Sequence, residues 1–158
     1  MSYIKKQPRN FMESLQLIHF SFVFIIVAFG AYVALSIGED LFFSYQEDRM
    51  FLYLAIIISF AGNLTSKYLY AKLLRQIPAD ADLSQKTVRY TTAHIFRIVM
   101  LELPALMCVI FAMQSNNSFY FILVGILILM ILSAYPTKYK FANEVPLSAK
   151  EKSMLENL

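Results

Sequence analysis

One cysteine, no tryptophan, four glycines and a charged fraction of only 16% set the limits for this 158-residue chain. Each shortage closes off a class of protein. The single thiol, Cys108, has no partner for an intramolecular disulfide and does not supply the thiolate set of a zinc or iron–sulfur site. There is no glycine-rich phosphate loop, and no CxxC, CxxCH, HExxH or GxSxG pattern. No catalytic constellation stands out, so the expectation is a protein that is not an enzyme and carries no cofactor and no metal. A soluble domain of this length would have about a quarter of its residues charged. Here 58% are hydrophobic and the mean hydropathy is +0.55, which indicates a membrane protein of one domain. The net charge of +3 does not point to nucleic acid, because the basic residues flank apolar runs, where membrane orientation accounts for them.

Four apolar runs are present, at about residues 15–37, 50–66, 95–113 and 119–135. A hydrocarbon core of roughly 30 Å takes about 20 helical residues to cross, so the four runs predict an all-α, polytopic bundle of four transmembrane helices. The first run contains no Asp, Glu, Lys or Arg. It is longer than the apolar part of a signal peptide and lacks a small-residue cleavage site, so it reads as a retained helix. Asn10 and Glu13 have capping-box spacing just before it. The second run continues without Gly or Pro through Lys67 to Arg75, and Pro78 ends it, so residues 67–94 form an extension outside the membrane. Ser84 is the expected N-cap of the third helix. The uncharged turn Gln114–Ser118 leads into the fourth run, which Pro136 closes. In the tail, residues 136–158, Ser148 and Glu151 repeat the capping-box spacing, and Leu147, Met154, Leu155 and Leu158 share a helical face. A frayed helix resting on lipid headgroups is the expectation for the tail, and a docking helix is the alternative.

Basic residues set the orientation, because short translocated loops avoid them. Lys5, Lys6 and Arg9 precede the first run. Lys67, Lys72, Arg75, Lys86, Arg89 and Arg97 surround the second connection, and Lys138, Lys140, Lys150 and Lys152 lie in the tail. The first loop has only Arg49 against Glu39, Asp40, Glu47 and Asp48, and the third has no basic residue. Both termini are therefore expected in the cytoplasm. Phe42, Phe43, Tyr45, Tyr68, Tyr70, Tyr120, Tyr135 and Tyr139 near the run ends suit the headgroup level.

Within the third run, Glu102 lies about seven residues from the cytoplasmic end, or roughly 10 Å deep. An ionisable group there costs several kcal/mol unless it is paired, protonated or hydrated. Pro104 weakens the same helix by leaving the Met100 carbonyl without its usual donor, which predicts a kink. Depth matching groups Glu102 with Arg97, His19, Asn63 and Ser66 as a candidate polar cluster. The favoured expectation is structural, with Glu102 hydrogen-bonded to neighbours. The functional alternative is proton sharing between Glu102 and His19. His19 and His94 also raise the remoter thought of a haem held between helices. Gly30, Ala34 and Gly38 on the first helix, and Ser59, Gly62, Asn63 and Ser66 on the second, mark faces of close helix approach.

The pattern Arg97-x4-Glu102-x-Pro104-Ala105, followed by Tyr135-Pro136-Thr137-Lys138, resembles a group of small four-helix inner-membrane proteins from Bacteroidetes-type Gram-negative bacteria. The resemblance covers most of the chain from the second helix onward. It implies a bacterial inner-membrane location and brings no activity with it. The expected role is an accessory, assembly or scaffold subunit of a larger membrane complex, with the lipid bilayer and other membrane subunits or further copies of itself as partners. The alternative is a small transporter or proton-linked channel that uses Glu102.

Overall fold

The computed structural model describes residues 11–47 and 49–156, and for Glu156 the backbone only. It is all-helical, with α1 Phe11–Ile37, α2 Arg49–Arg75, α3 Leu83–Ser115, α4 Phe119–Ser133, α5 Lys138–Glu144 and α6 Ala149–Glu156. Asn10, Lys5, Lys6, Arg9, Asp48 and Leu158, which the sequence reading had used, lie outside the described residues.

Three helices are long and apolar enough to cross a membrane: α1 with its 3-10 continuation to Asp40, α2, and α3. The fourth apolar run forms α4, which stops at Ser133 and turns 73° into α5. Pro136 explains the break in part, because it offers no backbone donor. The Lys140 ammonium accounts for the rest by donating to the carbonyls of Ser133 and Tyr135, each at 3.0 Å, in place of the next helical N–H groups.

α3 is the axis of the bundle. It packs against α1, α2 and α4, and α4 also touches both α1 and α2. The shared core holds Ile26 and Val33 of α1, Leu52 and Ala55 of α2, Ile98, Leu101, Ala105 and Val109 of α3, and Val124, Leu127 and Ile131 of α4. Large apolar side chains such as Leu17, Phe24 and Leu35 on α1 and Tyr53, Ile57 and Phe60 on α2 face outward. An apolar exterior around an apolar core suits a lipid surround.

Gly62 allows the closest helix approach. A Cβ built on it would lie 2.5 Å from the Pro104 ring and 2.6 Å from the Met100 carbonyl oxygen. The carbonyl that Pro104 deprives of its usual donor thus lies against the one side-chain-free position of α2. α3 stays helical through Pro104. The neighbouring small residues continue the seam. The Ser59 hydroxyl lies 3.7 Å from the Cys108 sulfur, and the Ser66 hydroxyl donates to the Arg97 carbonyl at 2.9 Å.

At the end where α2 turns into α3, here the hairpin end, a second core gathers Met12, Leu15, Tyr70, Ile77, Tyr90, Ala93, Phe141, Val145 and Leu155. α3 starts two residues earlier than Ser84 suggested. Asp82 is its N-cap, with its carboxylate accepting from Gln85 N–H at 2.7 Å, so that Leu83 joins this core. The tail is a docked element rather than a frayed one. Ser148 and Glu151 form the reciprocal capping box, Leu155 is buried, and Glu151 accepts from the Lys86 ammonium through both carboxylate oxygens, at 3.2 and 3.0 Å. Met154 faces outward instead of sharing the packed face.

The opposite end is tied by the connections themselves. Gly38, at φ +60, ends α1 in the left-handed region that favours glycine. Phe42 and Asn117 then form an isolated parallel bridge. The Asn117 side chain, 1% exposed, accepts from Ser44 N–H at 3.2 Å and from Phe119 N–H at 3.0 Å, and donates to the Ser44 carbonyl at 2.6 Å.

Candidate functional site

The proposed cluster of Glu102, Arg97, His19, Asn63 and Ser66 separates into four places. Ser66 and Arg97 meet through the backbone of α3. The Arg97 guanidinium turns toward the hairpin end and lies 4.7 Å from the centre of the Tyr70 ring, a cation–π contact. Tyr70 in turn donates its hydroxyl to the Glu144 carboxylate. Asn63 is half-buried and lines a shallow groove of about 150 Å³ between α2 and α4, beside Ile56, Phe60, Leu127 and Met130.

His19 does not meet Glu102 and is held by His94 instead. Nδ1 of His19 and Nε2 of His94 are 3.2 Å apart, and the rings stack with centroids 5.4 Å apart and planes 29° from parallel. One ring donates to the other, with the direction set by the tautomer. Both residues are buried. Tyr135 packs edge-on to His19, and Tyr90 stacks on the other side of His94. As placed, the facing nitrogens leave no room for an iron, which would separate them by about 4 Å, twice a metal–imidazole bond. Among the described residues, no three His, Cys, Asp or Glu side chains converge as a metal-binding group. Nε2 of His19 is enclosed and has no hydrogen-bond partner.

Along α3, Glu102 is eight residues beyond His94, about 12 Å along the axis, which is outside direct proton-transfer distance of a histidine held on His94. Glu102 is 8% exposed. The expectation that neighbours would hydrogen-bond it is not met. Lys86–Glu151 is the only ion pair among the described residues, and no hydrogen bond reaches Glu102. The sequence reading had left His94 out of the polar cluster. The signal that placed it was its depth, which matches His19 when both are counted from the charged ends of their runs. The Lys86–Glu151 contact had no comparable signal, because 65 positions separate the two residues.

Chemically, the hairpin end is a packed array of aromatic rings, cations and carboxylates. Its surface carries open depressions, a volume of about 400 Å³ beside Arg75 and Glu144 and one of about 350 Å³ beside Gln85 and Arg89. Compared with known family models, curated proteins and solved structures, the chain matches none.

Proposed function

We propose that the protein is a non-enzymatic subunit of a larger membrane complex, serving in assembly or as a scaffold. In this reading it is an inner-membrane protein with four spans, α4 completing the set, and with both termini and the hairpin end in the cytoplasm. The observation that carries the reading is the second core. α2 and α3 run without interruption from the lipid-facing bundle into it, and α5 and α6 close over it, which makes a preformed platform fixed to the membrane part. A platform of this kind presents a constant surface to a partner, and ordering it on binding costs little. The basic residues around it agree with a cytoplasmic position, and the resemblance seen in the sequence agrees with a bacterial inner membrane.

The carrier reading asks Glu102 and His19 to exchange a proton and the Pro104 region to move. The rise of about 12 Å along α3 from His94, which holds His19, to Glu102, and the close packing of Gly62 on Pro104, both weigh toward the subunit reading. The test is purification from native membranes in a gentle detergent, with mass spectrometry and native size as readouts. A stoichiometric second protein is expected. Recovery of the chain alone, as monomer or homo-oligomer, would overturn the subunit reading.

A further inference from the structure

Glu102 is the one carboxylate within the four apolar runs. By the depth read from the sequence it lies within the hydrocarbon, and 92% of the residue is covered, yet among the described residues none gives it a cation or a donor. The cations at nearby depth are already committed. Arg97 lies on Tyr70, and Lys140 caps α4. An ionised or even a neutral carboxyl group in this position costs several kcal/mol unless something outside the chain answers it.

The surface beside it shows from where that answer can come. Phe96, Leu103 and Met107 are exposed and share one face of α3, by their spacing of seven and four residues. Leu103, next to Glu102, is 52% exposed. α3 is otherwise the most enclosed of the long helices, with half of its apolar window buried against 11% for α1 and 17% for α2. Glu102 therefore sits at the edge of the narrow strip where the central helix reaches the outside.

We infer that this strip is the intramembrane docking line for one transmembrane helix of a different protein, which brings a cationic or hydrogen-bond-donating side chain to Glu102. The inference rests on the subunit reading and adds the chemistry of the partner. Charge complementarity selects the occupant. Acyl chains offer Glu102 nothing, and a second copy of this chain would bring a second carboxylate to the same line. A Lys, Arg, His, Asn or Gln at matching depth in an apolar segment satisfies the group and fixes the register of the two helices.

The experiment places a photo-crosslinking residue at Leu103 of the full chain in native membranes, with Leu129 on the exposed face of α4 as the comparison position. Expected is an adduct of one discrete foreign protein at Leu103 but not at Leu129. The cross-linked peptide should fall in an apolar segment carrying such a donor, and the yield should fall by at least about tenfold in Glu102→Leu, equivalent to losing about 1.4 kcal/mol. Protection of buried Cys108 from maleimide confirms that the variant is folded. Lipid-only adducts at Leu103, an adduct with a second copy, or a foreign adduct indifferent to Glu102→Leu would each overturn the inference. If any of these occurs while a stoichiometric partner still co-purifies, the subunit reading stands and only the role of Glu102 falls. If no partner co-purifies, both fall.

Discussion

Replacing Gly62 by alanine tests the packing of the bundle at its tightest point. The added methyl group would meet the Pro104 ring at 2.5 Å and the Met100 carbonyl oxygen at 2.6 Å, where ordinary contact begins at 3.4 Å. Neither neighbour has a rotamer to yield with, so α2 must move away by about 1 Å, an overpacking that costs roughly 1–3 kcal/mol. The same displacement stretches the Ser66–Arg97 bond from 2.9 Å to about 3.9 Å, beyond bonding distance, at a cost of about 0.6–1 kcal/mol in a membrane interior. Alanine's better helix propensity offsets about 1 kcal/mol. The net expectation is a loss of about 1–3 kcal/mol. Gly125→Ala is the matched control, because nothing lies within 4 Å of a Cβ there, and it should be neutral or stabilising by up to about 1 kcal/mol. The assay is unfolding in mixed micelles by titration with a denaturing detergent, followed by helical circular dichroism. If Gly62→Ala were as stable as the parent, or shifted the midpoint no more than Gly125→Ala, the close approach of α2 to the proline of α3 would be refuted.

Two further expectations concern the two ends. Asn117→Ala removes three hydrogen bonds from a buried site and should cost about 2–4 kcal/mol, with faster tryptic cleavage after Arg49 in micelles; unchanged cleavage would count against the clamp. For Glu151, burial is the largest single influence and opposes ionisation, but hydrogen bonds from Ser148 and Lys86 outweigh it and hold the carboxyl below its ordinary 4.5. The docking of α6 is therefore fully supported above about pH 4.5 and weakens as pH falls toward the lower value of the folded state. A spin label on a cysteine at exposed Met154 should be immobile at pH 7 and mobile in acid, Glu151→Gln should mobilise it at pH 7, and a signal independent of both changes would rule out the Lys86 contact as the anchor.

The order and type of the helices were legible because long uncharged runs leave few alternatives in a chain with so few breakers. Their ends were harder to read. Asp82 and Ser84 both have side chains that cap helices, and what favours Asp82 is the packing of Leu83 against the second core, a tertiary gain with no local sign. Pro136 was a visible stop, but α4 ends sooner because Lys140 reaches back to its last carbonyls. Position along the helix was readable for His19, Arg97 and Glu102, whereas direction around each helix axis was not. Depth alone put His19 with Glu102; the orientation of α1 on α3 put it on His94. Asn117 looked like part of a bland polar turn, since nothing nearby in the sequence shows that its amide would meet Ser44, 73 positions away. Glu102 was recognised as costly from composition and position, but its lack of an internal partner needed coordinates.

The bend between α4 and α5 has a consequence for the surrounding bilayer. α4 has 15 residues, about 22 Å of helix, where the hydrocarbon is roughly 30 Å thick. On the proposed four-span reading, with α1, α2 and α3 long enough to hold the usual thickness, the mismatch falls on the α4 flank alone, and the lipid there would thin or dip to meet it at a fraction of a kcal/mol per Å. Thinned lipid costs least when it is shared. Two proteins that each deform the bilayer on one side are drawn to set those sides together before any side chains touch, so on that reading the short helix would give the molecule a preferred heading in the plane of the membrane.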